Sequence, residues 1–312
     1  MELTTANLDA MFTGYSAAFA AAYQSAPVWH QKLAMLPTYG NVEAVVNGWM
    51  DQIPQMRQWI GPRHIHNVAT RGRSMTALPF EETIAIDKYK LEDDQFGLYT
   101  PAVQMLAYQA AKYPDSLLAA KIIENPTAFD GVSFFNDAHP VDVDAGAGGP
   151  LGSYDNSLAL ALTGTNFGIA RATMRGFKGR DGRAMGIRPT TLVVPPSLED
   201  TAQRIMTSDY LASFLMGSTT AGNVAAEPNI YKGACEVLVV DELEVAPTTW
   251  YIVDNSKPIK PFLFWQRKAP EMVFLNRPTD PNVFYSRQFL FGVEARGVCD
   301  VTLPFLAIKS TP

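Results

Sequence analysis

The sequence predicts an α+β protein, on three observations. Two stretches, residues 5–24 and 101–125, repeat apolar residues with the 3.6-residue period of a helix. From Asn156 to about residue 268 the pattern changes to short buried runs alternating with helical segments. The last thirty residues alternate apolar and polar side chains as a long strand does.

In the first stretch the stripe is Leu8, Met11, Phe12, Tyr15, Phe19 and Tyr23, with Thr4 or Thr5 as cap and Ser25-Ala26-Pro27 as stop. Its other face is mostly Ala, Ser and Thr. Such a face suits a peripheral core helix or an arm docked on a neighbouring subunit. Residues 25–62, with Pro27, Pro37, Pro54 and Pro62, are expected to be irregular. Around Ile84 and Ile86 a period-two pattern predicts a strand, preceded by a charged limb with Arg71, Arg73, Glu81 and Glu82. Together with Asp87, Lys88 and Lys90 these read as a long charged β-ribbon whose tip is Glu92-Asp93-Asp94. A two-stranded ribbon is marginal alone in water and must lie on something else.

Pro101 suits the first turn of the second helix, along which Val103, Leu106, Ala110, Leu117, Leu118 and Ile122 line a face. Pro114 predicts a kink or break after Tyr113, and Asn125-Pro126 ends the helix. The glycine-rich run from Ala145 to Ser153 reads as a loop. A helix over about 166–177, capped by Thr165, then precedes the buried run Leu192-Val193-Val194. A further helix starts at Ser197, which with Asp200 resembles a capping box. Strands follow at about 235–240, 250–254 and 261–266. Tyr285, Arg287, Phe289, Phe291, Val293 and Ala295 form one strand face, with Glu294 and Arg296 on the other. A turn after Gly297 and a return through Pro304 to Ile308 predict a closing β-hairpin.

Composition narrows the function. The 312 residues are 47% apolar and 18% charged, an ordinary globular mix long enough for about two domains. The net charge of −6 and the scattered basic residues argue against tight binding to nucleic acid through a polybasic face. The start of the chain lacks the charged and apolar regions of a signal peptide, and no apolar run reaches the ~18 residues of a membrane span. Cys235 and Cys299 have no metal or redox spacing and read as buried thiols of a protein made in the cytoplasm.

Chemistry is sparse. No Walker motif or nucleophile elbow occurs, and Gly146-Ala-Gly148-Gly-Pro-Leu151 fails the dinucleotide fingerprint. His64 and His66 would share a strand face but lack further ligands. The most enzyme-like group is His139 with Asp137, Asp142 and Asp144, which could hold a metal or form an acid–base pair. The plainer reading is turn chemistry around Asn136, Asp137 and Pro140. Neither a catalytic centre nor a cofactor or metal site is expected.

Several blocks resemble one family. Trp59-Ile-Gly-Pro-Arg63, Phe80-Glu-Glu-Thr-Ile84 through Glu92-Asp-Asp-Gln-Phe-Gly-Leu-Tyr99, and Phe129-Asp-Gly-Val-Ser-Phe-Phe135 with His139-Pro140 are similar to the major head proteins of Mu-like bacteriophages. Met174-Arg-Gly-Phe-Lys-Gly-Arg-Asp-Gly-Arg183, Leu192-Val-Val-Pro-Pro-Ser-Leu198 and Phe289-Leu-Phe-Gly-Val-Glu-Ala-Arg-Gly297 continue the resemblance in order, over about residues 55–305.

The resemblance implies the Hong Kong 97-like phage capsid fold. It makes residues 1–62 an N-terminal arm, 63–100 an extended loop, and 101–155 a peripheral domain with a spine helix. Residues 156–268 become an axial domain, and 269–312 the closing hairpin of the peripheral domain. It also implies self-assembly as pentamers and hexamers into an icosahedral shell around double-stranded DNA, with scaffold, portal and decoration proteins as partners. The ribbon and arm residues Arg71, Arg73, Glu81, Glu82, Asp87, Lys88, Lys90, Glu92, Asp93, Asp94, Phe12 and Phe19 are then expected at contacts between subunits. An encapsulin-like or gene-transfer particle subunit would share that fold, and a metal-dependent enzyme at His139 is the reading from another class.

Overall fold

The computed structural model describes residues 5–39, 42, 44–50, 70–92, 98–146, 149–211, 227–275, 277 and 280–312. In chain order the first half contains α1 (Thr5–Ser25), α2 (His30–Leu33), β1 (Ala34–Met35), β2 (Ala44–Met50), β3 (Thr70–Thr76), β4 (Leu78–Asp87), α3 (Lys88–Glu92) and α4 (Tyr99–Glu124). Next come β5 (His139–Pro140), β6 (Ser153–Tyr154), β7 (Ser157–Leu158), α5 (Gly164–Gly176), β8 (Thr191–Val194), α6 (Glu199–Thr207), β9 (Tyr210–Leu211) and β10 (Glu227–Pro228). The chain closes with β11 (Glu236–Val239), β12 (Trp250–Val253), β13 (Phe262–Leu275), α7 (Pro281–Ser286), β14 (Gln288–Val301) and β15 (Ala307–Ser310).

Two sheets organise these elements. The longer has strand order β1-β13-β14-β4, and the other has order β11-β8-β12-β15-β7. In the five-stranded sheet Leu192, Val193 and Val194 are buried on both faces, which explains their unbroken apolar run. Its one face packs on Phe167, Ala170 and Met174 of α5 and on Ala202 and Ile205 of α6. Its other face meets Leu118 and Ile122 of α4 together with Phe262 of β13.

α4 therefore joins the two halves of the molecule. Its N-terminal part buries Val103, Leu106 and Ala107 against α1 and the long sheet, and its C-terminal part fills the space between the sheets. Of the kink or break expected at Pro114, the break does not occur: the helix runs for 26 residues through it. Pro114 is buried there, and packing on both sides outweighs the one backbone bond that proline removes. Asn125 ends the helix in the left-handed conformation, φ 51°, and its side chain bonds both backbone groups of Phe135 at 2.7 and 3.0 Å.

Several expectations need correction. The ribbon pairs β2 with β3, Ala44 opposite Thr76 and Met50 opposite Thr70, so its first limb lies in the proline-rich segment expected to be irregular. β4, expected as the ribbon's other limb, pairs with β14 over Leu78–Asp87, because Ile86 and Ile84 contribute to the core beneath that sheet. Residues 63–100 are thus not one element.

The closing hairpin is also absent. β14 runs straight through Gly297 to Val301 and pairs with β13, whereas β15 crosses to the five-stranded sheet beside β12. Residues 262–268 and 307–310 have therefore exchanged the sheets expected for them. Tyr285 lies in α7 and is 82% exposed, and Arg287 caps that helix, so the strand face begins only at Phe289.

Two caps differ as well. Thr163, not Thr165, caps α5, its hydroxyl oxygen accepting from the Asn166 amide at 3.1 Å. Ser197 forms no capping box, because its hydroxyl donates to Glu244 instead.

Gly297 is a close-packing position rather than a turn. A Cβ there would lie 2.9 Å from the Phe264 ring and 3.0 Å from the Tyr113 hydroxyl. Gly297→Ala is expected to cost about 1–3 kcal/mol, since buried aromatics must shift to admit the methyl. Urea unfolding of the variant checks this.

Candidate functional site

The ribbon is anchored at its base. Met75 and Ala77 are buried in the core of the five-stranded sheet's side, and Arg73 Nε lies 3.1 Å from Asp300 Oδ2 on β14. The same guanidinium donates to the Thr127 carbonyl. Arg73, expected at a neighbour, thus ties the ribbon to its own subunit. Beyond Arg73 the two strands have each other as their principal partners.

Burial holds Asp300 above the ordinary carboxylate value of 3.8, outweighing the Val301 amide and the Arg73 charge that pull it down. The folded state then binds the proton more tightly than the unfolded state. The contribution to stability is greatest below the unfolded value and is lost as pH rises through the folded one. Asp300→Asn should flatten that part of the pH–stability curve, measured by urea unfolding upward from about pH 4.

The other expected contact residues fall into separate places. Phe12 and Phe19 are buried in the chain's own fold rather than offered to a neighbour. Phe12 packs on Phe289 and Phe291, with ring centroids 6.0 and 5.4 Å apart. Asp87 caps α3, accepting from the Tyr89 and Lys90 amides at 2.9 and 3.3 Å. Lys88 is half-buried, whereas Lys90, Glu81 and Glu82 are exposed. Glu294 pairs with Lys268, which also meets Glu271 at 3.1 Å. An Arg296 guanidinium nitrogen donates to the Ala77 carbonyl at 3.3 Å. Arg71 pairs through its backbone with Trp49, and its side chain, that of Glu92, and all of Asp93, Asp94, His64 and His66 lie outside the described residues.

The enzyme-like group does not form. His139 is fully buried with Nδ1 2.5 Å from Asp130 Oδ2 and Nε2 3.1 Å from the Phe134 carbonyl, and it stacks on Tyr154 at 5.0 Å. Asp142 pairs with Arg180 at 2.9 Å, and Asp137 is exposed on the surface. His139 therefore pins a loop, because both ring nitrogens are occupied within the fold. Among the described residues no group of three metal-ligating side chains occurs. Asp130 stood in the sequence between Phe129 and Gly131, but its spacing of nine from His139 carries no signal of contact.

A second buried pair also escaped the sequence. Asp115, fully buried on α4, accepts from the Trp29 and His30 amides and lies 2.7 Å from His30 Nδ1. It fixes the connection from α1 to β1. Cys235 and Cys299 are free and buried, and burial pushes the Cys235 thiol up to about 11. No helix among the described residues is long and apolar enough to cross a membrane.

What the described residues build is a two-stranded ribbon, a buried spine helix and two sheets. Comparison with known proteins gives these parts their meaning. The major capsid protein of Escherichia phage Mu is 23% identical over 298 residues, 95% of this chain and 70% of that protein. The procapsid of bacteriophage JBD30 aligns with TM-score 0.60 and 21% identity, covering 99% of this chain and 76% of that one. A virus-like particle from Pyrococcus furiosus aligns with TM-score 0.52 at 9% identity, covering 94% of this chain and 96% of that one. These likenesses establish the Hong Kong 97-like capsid fold. The family described as Mu-like prophage major head subunit gpT matches residues 8–159, 156–243 and 232–311. Nearly the whole described chain is thereby covered, and it belongs to that family, the major capsid proteins of Mu-like phages.

Proposed function

We propose that this capsid subunit assembles with copies of itself, as pentamers and hexamers, into an icosahedral shell that encloses double-stranded DNA. The observation that carries this reading is the ribbon β2–β3, a two-stranded sheet of its own held by Arg73 and Met75 at its base. Two strands alone are marginal in water, so a neighbouring subunit is the surface that completes them. Contacts of that kind are head-to-tail, and a head-to-tail contact closes only with the right curvature. The net charge of −6 suits a container that holds DNA without gripping it.

On this reading the protein performs no catalysis, is made in the bacterial host cytoplasm and ends in the virion. Scaffold, portal and decoration proteins are its further partners. Lys88 and Lys90 form no covalent link to a neighbour, so denaturing, reducing electrophoresis of shells should give a single band near 34.2 kDa. A ladder of heavier bands would contradict this.

The test is native-state sizing with electron microscopy, on protein produced alone and with the genes beside its own. Closed shells, or rings of five or six subunits, are expected. Shells loaded with protein cargo instead of DNA would move the reading to an encapsulin-like container. Monomers or dimers under every condition would overturn it.

A further inference from the structure

The two most exposed aliphatic side chains among the described residues are Val245, 78% exposed, and Ile230, 76% exposed. A lone exposed apolar group is ordinary. These two, however, sit on opposite faces of the five-stranded sheet and in surroundings of opposite charge.

Val245 ends a single 3-10 turn, Asp241–Val245, whose Leu243 is buried with Val193, Leu238 and Tyr251 on the α4 side of the sheet. The turn carries Asp241, Glu242 and Glu244 and no base. Lys112 of α4 lies near Glu242, and Glu244 accepts from the Ser197 amide at 3.1 Å. Asp241 and Glu244 are exposed, and neither makes an ion pair among the described residues.

Ile230 belongs to the turn between β10 and β11, on the other face. Its neighbour Tyr231 meets the Phe167 ring of α5 edge-on at 5.4 Å, and Gly168 leaves room for the Tyr231 hydroxyl. Asn229 donates to the Ile205 carbonyl of α6 at 2.7 Å. Arg171 and Arg175 stand one turn apart on the side of α5 that holds Gly168, so they border this turn. Neither arginine makes an ion pair among the described residues, and Arg175 is exposed.

Each face therefore presents an aliphatic centre with charges beside it, the usual anatomy of a contact between proteins. Within one subunit the sheet separates the two, so they cannot meet. Like faces repel, acid against acid or base against base. We propose that the turn Asp241–Val245 of one copy of this chain docks on the strip formed by Arg171, Arg175 and Ile230 of the next. Val245 then lies on Ile230, with Asp241 and Glu244 towards the arginines. A contact that uses opposite faces of every copy is head-to-tail and generates a ring. The charges fix its direction and suppress the symmetric dimer. This inference rests on shell assembly and names the two surfaces, and their signs, that join copies within a ring.

The test uses shells of a variant carrying both Ile230→Cys and Val245→Cys, treated with a short bis-maleimide; the native Cys235 and Cys299 are buried. Denaturing electrophoresis should show a ladder in multiples of 34.2 kDa that ends at five and six copies. Each single variant should stay monomeric. A cross-linked dimer from either single variant would mean that like faces meet and would overturn the proposal, as would shells of the double variant that stay unlinked. Microscopy of the parent protein separates the two levels. Absence of parent shells removes the capsid reading and this inference with it, whereas shells whose cysteines do not join remove only the inference.

Charge reversal is a check independent of the cysteines. Arg175→Glu should lower shell yield at least about tenfold while circular dichroism stays unchanged, because like charges then face each other at every contact around a ring. Adding Asp241→Arg should restore the yield. Full yield from Arg175→Glu alone, or no recovery in the pair, would contradict the assignment.

Discussion

Replacing residues 48–72 by a two-residue Asn-Gly turn should leave a folded subunit that builds no shells. Asn47 and Arg73 stand opposite each other across the ribbon, so a two-residue hairpin turn can join them without disturbing the strands below. The anchor survives, since Arg73 keeps Asp300 and Met75 stays in the core. Stability should therefore change by less than about 1 kcal/mol, a shift of no more than roughly 2–4 °C in Tm. Everything the ribbon gives to a neighbour is removed. Thermal unfolding and electron microscopy on the same sample separate the two effects. Normal shells from this variant would show that the ribbon is dispensable.

His139→Ala should be the most damaging single change, costing roughly 3–5 kcal/mol. It leaves the Asp130 carboxylate buried without its hydrogen-bond partner, at a side chain 1% exposed. It also frees a Phe134 carbonyl lone pair and opens a hole beneath Tyr154. Asp130→Asn should cost less, because an amide oxygen can still accept from the ring. Urea denaturation measures both. The same experiment separates structure from chemistry: a variant as stable as the parent would reopen the question of what His139 does.

How far the sequence reached depended on the kind of contact. Local periodicity placed α1, α4, β8 and β12 well, because a helix stripe or a buried run reports its own environment. Pairing between distant strands was illegible. Ala44–Met50 and Thr70–Thr76 are a ribbon only because they meet, and the prolines at 37 and 54 hid the first limb. Gly297 read as a turn because glycine permits one, whereas the position needs glycine for the closeness of Phe264 and Tyr113. Pro114 read as a kink or a break because the penalty is local and the compensating packing is not.

The residues expected at assembly contacts divide the same way. The charge of Arg73 was visible, but its partner Asp300, 227 positions away, was not. The family resemblance, by contrast, rested on blocks of residues in order, and it carried the fold class and the capsid reading further than periodicity could.

The most direct measurement is a cryo-electron-microscopy map of the assembled particle at side-chain resolution, read at the ribbon. A closed shell is expected in which residues 44–76 of each subunit lie across an adjacent one, with Arg73 still on its own Asp300. A shell in which each ribbon folds back onto its own subunit would contradict it.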